Sequence, residues 1–313
     1  MTFAFVFPGQ GSQAVGMGQE LAAAFPVAAE VFEVIDDALD ENLTKVMFEG
    51  PEEVLKLTKN AQPALMAVSL AVLGVLTDEG GFDLGSEVRF VAGHSLGEYS
   101  ALAAAGTFSL SDTAKLLKTR GNAMQEAVPV GKGAMAAILG LSLDIARKIA
   151  DEAAQGEICT TANDNANGQV VISGTKTAVE RAILIAKDNG AKRGVLLPVS
   201  APFHCALMAP AANAMAEALS LVHMNAPIVP LVANVTACEV SDAAEIRRLL
   251  VEQVTGMVRW RESVLFMRAN GVDQLVEIGN GKVLSGLARR IDGDMASQSI
   301  STPKDIETFL KSL

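Results

Sequence analysis

The strongest constraint in the chain is a five-residue turn, Gly93-His94-Ser95-Leu96-Gly97, lying between an apolar run at residues 88–92 and an alanine-rich stretch that reaches Ala105. A strand that passes through G-x-S-x-G into a helix makes a sharp elbow, which lifts its serine above the end of a sheet. Glycine at both ends of the motif lets the turn run close to neighbouring backbone. The start of the following helix offers N–H groups and a positive dipole to any anion that develops beside Ser95. A second apolar run, residues 2–7, ends in Pro8-Gly9-Gln10-Gly11-Ser12-Gln13 and leads into another helical stretch. Strand, glycine turn and helix occurring twice predict an α/β fold with a parallel sheet.

The chain has 313 residues, enough for one large domain or a large-plus-small pair. Residues 62–77 have the length and composition of a buried helix, and a further helix is expected around 112–127. The texture then changes. Residues 133–139 read as a strand, 143–154 as a helix, 158–162 as a strand, 163–168 as a polar loop, 170–173 as a strand, 177–189 as a helix and 194–198 as a strand. This βαββαβ order predicts a ferredoxin-like small subdomain at 128–198, inserted into a large α/β domain formed by 1–127 and 199–313. After the insertion come helices near 207–220, 242–255, 260–270 and 282–291, with strands at 228–233 and 274–278.

A serine hydroxyl needs a base to become a nucleophile, and histidine is the natural one at neutral pH. The chain has three. His94 adjoins Ser95 on the turn, so the two side chains should diverge, which leaves His94 a packing role. His223 sits among apolar residues and reads as a core histidine. His204 lies in Ser200-Ala201-Pro202-Phe203-His204-Cys205, where the small segment returns to the large one, and a cleft is expected at such a junction. It is the preferred base. No acid is singled out to orient it: Asp164, Asp188 and Asp242 are all available, and a backbone or amide carbonyl would also serve. Arg120 has two readings, a surface arginine beside Lys115 and Lys118, or a guanidinium fork that grips a substrate carboxylate.

Composition narrows the function class. The net charge of −11 argues against general affinity for nucleic acid or an anionic membrane. All of the excess lies in residues 1–88, with 14 acids and three bases; residues 89–313 hold 22 of each. The rest of the chain is therefore neutral overall and contains basic residues at 115–120, 192–193, 247–268 and 282–290, which are candidate contact surfaces. Three cysteines without a CxxC pair point to a reducing, cytoplasmic setting and away from a zinc site. The uncharged windows 60–77, 194–216 and 218–238 are broken by proline and polar residues, so they read as core rather than membrane spans. The N-terminus lacks the pattern of a signal peptide.

Five ordered motifs then carry a resemblance over essentially the whole chain. They are Phe7-Pro8-Gly9-Gln10-Gly11-Ser12-Gln13, Gly93-His94-Ser95-Leu96-Gly97-Glu98, Arg120 within Thr-Arg-Gly-Asn-Ala-Met-Gln, Pro202-Phe203-His204, and Glu277-Ile278-Gly279-Asn280-Gly281. Together they resemble the malonyl-CoA:acyl carrier protein transacylase family of fatty-acid synthesis. The resemblance implies a hydrolase-like parallel-sheet domain with an inserted ferredoxin-like subdomain and the active site between them. It implies Ser95 as nucleophile and His204 as base, with the imidazole held by a main-chain carbonyl near Gln253 in place of an acid. Backbone N–H groups of Gln10 and Leu96 would form the oxyanion hole, and Arg120 would bind the malonyl carboxylate. Phe203, just before the histidine, would favour malonyl over methylmalonyl by crowding an α-methyl group. Gln169, Lys192 and Arg193 would contact coenzyme A, and Asn163 would line the cleft. No metal or cofactor is implied, because the coenzyme A thioester is a substrate; acyl carrier protein is the expected partner. The competing readings are a serine thioesterase of acyl-CoA, an acyltransferase for another dicarboxylic group such as methylmalonyl, and a non-catalytic carrier-docking module.

Overall fold

The first strand shows why the sheet must be covered on both faces. In the computed structural model, which describes residues 2–199 and 201–313, strand β1 (Phe3–Phe7) is buried along its whole length. Phe3, Phe5 and Phe7 face one apolar cluster and Ala4 and Val6 the other, as the period-two alternation of a strand requires. β1 lies at the centre of a six-stranded sheet with β2 (Val88–Gly93), β7 (Leu231–Val232), β8 (Glu239–Val240), β9 (Gln274–Ile278) and β10 (Ala296–Ile300), in the order β10-β9-β1-β2-β7-β8. All neighbouring pairs are parallel except the short β7–β8 pair.

The second sheet contains β3 (Gly133–Leu139), β4 (Cys159–Ala166), β5 (Gln169–Thr175) and β6 (Arg193–Leu196), fully antiparallel in the order β4-β5-β3-β6. Helices Leu143–Ala154 and Lys176–Asp188 connect β3 to β4 and β5 to β6 and pack together on one face. This is the ferredoxin-like arrangement. Ala136, Ile138 and Ile172 face those helices, whereas Met135 and Val171 join the main core. The small sheet is also stitched to the large body by backbone: Val258 N–H donates to Ala162 O at 2.9 Å, and Asp164 N–H to Val258 O at 2.9 Å.

Several local expectations change. Residues 163–166, expected in a loop, continue β4, because their side chains are mostly buried and pair with β5 or bridge to Val258. The strand expected at 228–233 shrinks to two residues, since Pro227 and Pro230 bring no N–H to a ladder. β10 and helix Pro303–Leu310 were not expected. Helix Thr58–Asp78 is apolar enough by composition to cross a membrane, but it contains Pro63 and is mostly buried inside the fold, as a core helix.

Candidate active site

β1 and β2 run side by side, with Phe7 in register with Gly93, so the loops at their C-terminal ends open onto the same space. Ligands of open α/β sheets bind at this edge. The elbow is tight: a Cβ on Gly93 would sit 1.9 Å from the Gly97 carbonyl, and one on Gly97 would sit 2.2 Å from Phe7 O. Between them Ser95 adopts a left-handed conformation, φ 54°. Strain of this kind persists only where neighbours hold it. Asn234 does so here, accepting from Ser95 N–H at 2.8 Å through Oδ1 and donating from Nδ2 to Gly93 O at 2.7 Å. Because the N–H of Ser95 is engaged in this way, the N–H that the elbow can offer to an oxyanion is that of Leu96, at the start of helix Gly97–Ala104.

Ser95 Oγ lies 2.8 Å from His204 Nε2. On the other side of the ring, Nδ1 meets two carbonyl oxygens, Gln253 O at 2.9 Å and Gly256 O at 3.1 Å. Carbonyls only accept, so Nδ1 carries the proton and Nε2 is free to accept from the serine hydroxyl. His204 is 4% exposed. Burial first, and then the positive charge of Arg120, depress its pKa to about 3. At neutral pH the ring is therefore in its basic form. None of the three aspartates orients it: Asp164 pairs with Arg261 at 2.8 Å, Asp242 caps helix Ala243–Thr255, and Asp188 ends helix Lys176–Asp188.

Arg120 is 1% exposed, which rules out the surface reading. It donates from Nη1 to Gln62 Oε1 at 2.8 Å, and from Nη2 to Gln253 Oε1 at 2.8 Å and Ser95 Oγ at 3.1 Å. Its guanidinium lies over the Tyr99 ring, 5.7 Å from the centroid. A cation held beside the serine by neutral oxygens is suited to receive a carboxylate.

These groups border a cavity of about 520 Å³, lined also by Gln10, Leu96, Gln62, Met124, Met135, Asn163, residues 197–199 and Phe203. The structure thus brings Ser95, His204, Arg120, Gln10, Leu96, Phe203 and Asn163 to one space, with Gln253 directly behind it. It does not bring Gln169, Lys192 and Arg193 there. Gln169 and Arg193 flank Leu139 at the far end of the small sheet, and the Gln169 side chain accepts from Arg290 at 2.8 Å. Lys192 and Arg193 are exposed.

His94 turns away from the serine, as expected, and pairs through Nε2 with Asn165 Oδ1 at 2.9 Å. His223 is a correction: it is exposed and bonded to the Asn225 side chain, because it lies in the loop that follows helix Ala209–Leu221. Gln62, Asn234 and Glu98 belong to the site in ways the sequence did not signal. Gln62 and Asn234 lie in no motif, and Glu98 had no role attached to it.

Residues 4–293 match the family model described as an acyl transferase domain. The malonyl CoA-acyl carrier protein transacylase of Escherichia coli (strain K12) is 46% identical over 310 residues, which cover 99% of this chain and 99% of that protein. The crystal structure of acyl-carrier-protein-S-malonyltransferase from Bartonella henselae superposes with a TM-score of 0.97 at 58% identity, covering 100% of this chain and 99% of that one. A malonyl-transacylase solved in complex with its type II PKS acyl-carrier protein superposes with a TM-score of 0.96 at 44% identity, covering 100% of both chains.

Proposed function

Because the chain belongs to the malonyl-CoA:acyl carrier protein transacylase family, we propose that it moves a malonyl group from coenzyme A to the phosphopantetheine thiol of acyl carrier protein through an ester on Ser95. The observation that carries the route is the chain of contacts Arg120–Ser95–His204–Gln253. His204 Nε2 takes the Ser95 proton as Oγ attacks the thioester carbonyl carbon. The carbon–sulfur bond then breaks, and the His204 imidazolium returns its proton to the leaving thiolate of coenzyme A. The carrier thiol collects the malonyl group by the same steps in reverse.

In this reading the Gln253 carbonyl does the work of an acid, holding the Nδ1 proton and the ring orientation. Backbone N–H groups of Gln10 and Leu96 receive the oxyanion, and Arg120 fixes the malonyl carboxylate and hence the reacting carbonyl. Residues 128–198 form a subdomain that closes the cavity over the elbow, and Lys192 and Arg193 meet the phosphates of coenzyme A. Acyl transfer of this kind calls on no cofactor. A cytoplasmic location fits both coenzyme A and the free thiols of Cys159, Cys205 and Cys238.

Intact-mass measurement after mixing with malonyl-CoA alone tests the route. One malonyl adduct is expected on the wild type and none on Ser95→Ala. An unlabelled wild type, or an adduct on Ser95→Ala, overturns it, and free malonate accumulating without carrier transfer would place the chain among hydrolases.

A further inference from the structure

The three hydrogen-bond acceptors of Arg120 are all neutral oxygens, those of Gln62, Gln253 and Ser95. A cation buried without a carboxylate partner is costly. A titratable carboxyl stands at one remove. Glu98 is 1% exposed and stands in the first turn of the helix that follows the elbow. Its Oε2 accepts from Gln253 Nε2 at 2.6 Å and from Asn234 N–H at 3.4 Å, while Oε1 has no hydrogen-bond partner.

Gln253 joins the two ends of the site. Its main-chain oxygen holds His204, its Oε1 accepts from Arg120, and its Nε2 donates to Ser95 O at 2.9 Å as well as to Glu98. An amide of this shape fits its space in either of two orientations, and only one of them turns an acceptor toward the guanidinium. Burial raises the Glu98 carboxyl to about 7, against the hydrogen bonds from Gln253 and Asn234 and the charge of Arg120, which favour its ionised form. In that form it only accepts, as Ser95 O does, and the two together draw the NH2 group and leave the amide oxygen facing Arg120.

We propose that Glu98 is a positioning residue for the malonyl transfer set out above: through the side-chain amide of Gln253, its carboxylate holds the Arg120 guanidinium, and with it the malonyl carboxylate, within reach of Ser95. The inference rests on that reading of the function. Glu98 does not touch the substrate. Its effect is confined to acyl groups that bear a carboxylate, and a merely structural role would not be.

The isosteric variant Glu98→Gln removes the charge and replaces an acceptor-only group with one that also donates, which weakens the hold on the Gln253 amide and leaves Ser95 O as its remaining acceptor-only partner. The experiment measures Ser95 acylation by malonyl-CoA and by acetyl-CoA in single turnovers, for wild type, Glu98→Gln, Gln253→Ala and the double variant, each checked for a wild-type thermal transition. Glu98→Gln is expected to raise the half-saturating malonyl-CoA concentration roughly tenfold, the loss of one charge-assisted hydrogen bond. Acetyl-CoA acylation should stay within about twofold of wild type, and the double variant should lose no more than the worse single one. Equal losses with both thioesters, additive losses, or no loss overturn the proposal. If Glu98→Gln does not fold, Gln253→Ala decides by the same malonyl-to-acetyl comparison. A wild type that takes no malonyl group defeats the function reading instead, which keeps the two failures apart.

Discussion

The two walls of the cavity are built on different principles. The wall from the large sheet is polar and bonded within itself: Ser95, Arg120, His204 and Gln62 each have a hydrogen bond between 2.8 and 3.1 Å. Behind it, Gln253, Asn234 and Glu98 are at most 1% exposed. The wall from the small sheet and its exit loop presents Met135, Leu197, Pro198 and Val199, with Asn163 as its polar member. Directional bonds between buried groups permit one arrangement, and losing a partner leaves an orphan. An apolar wall is defined by shape, and its cost varies smoothly with volume. We therefore expect reaction geometry to depend on the first wall and acyl-group size on the second.

The largest effect should follow from breaking the polar wall where it meets substrate. Arg120→Ala is expected to slow Ser95 acylation by malonyl-CoA about 10²–10³-fold, as expected when a buried charged partner is removed, while acetyl-CoA is spared. A pH profile adds a sign. The charge of Arg120 is the second cause of the depressed His204 pKa, after burial. The reaction needs neutral imidazole, so acylation falls as pH drops through the His204 pKa; without Arg120 that pKa rises, and the fall must begin at a higher pH. Rates measured with acetyl-CoA between pH 4 and 8 would show it as an acid limb that enters this range in the variant and lies below it in the wild type. Equal losses for both thioesters, or an unmoved acid limb, would mean that the polar wall is a structural network and the comparison fails.

The two walls also differed in how far they could be read in advance. β3 and helix Leu143–Ala154 were legible to the residue, because Gly133 and Ser142 mark their starts and the apolar period shifts from two to 3.6 between them. The elbow was legible because its chemistry is local. Burial of Arg120 was harder to see beside Lys115 and Lys118, although Thr113, Leu117, Arg120 and Met124 recur at helical spacing and are all buried. Gln62 and Asn234 reach the site only because helix Thr58–Asp78 and the segment after β7 end there, a tertiary fact with no local trace. The polar β10, Ala-Ser-Gln-Ser-Ile at the edge of the sheet, has too little apolar alternation to announce a strand. The helix after it was missed although it has a local signal, the capping box of Thr302 and Asp305.

A middle-sized effect should come from reshaping the cavity beside the base. Phe203 is 8% exposed and lines the cavity next to His204. Phe203→Ala opens space for one further methyl group without removing any bond of the polar wall. Discrimination between malonyl-CoA and methylmalonyl-CoA, as the ratio of kcat/KM values, should narrow by roughly tenfold, the usual worth of a methyl-sized fit. Most of that change should come from faster methylmalonyl transfer. If the ratio stayed constant while both rates fell, Phe203 would be supporting His204, and the division between chemistry and size would be drawn in the wrong place.

The smallest effect concerns the far end of the small sheet. Several other basic groups among the candidate contact residues are already engaged: Arg248 with Glu245 and Glu252, Arg247 with Val222 O, and Arg290 with Gln169. No ion pair engages Lys192 or Arg193 among the described residues, and β6 leads from them directly to Leu197 on the cavity wall. A thioester seated at Ser95 whose tail followed that strand would place its phosphates near the pair. Exposed contacts of this kind contribute about 1 kcal/mol or less each. The double variant Lys192→Ala/Arg193→Ala should therefore raise KM for malonyl-CoA about fivefold at low ionic strength, less at 0.5 M salt, where screening is complete within a few ångströms. Malonyl-pantetheine, which carries the same thioester without phosphates, should react unchanged. A matching loss with malonyl-pantetheine would show that the pair supports β6 itself, so that the apolar wall, like the polar one, depends on charges outside the cavity.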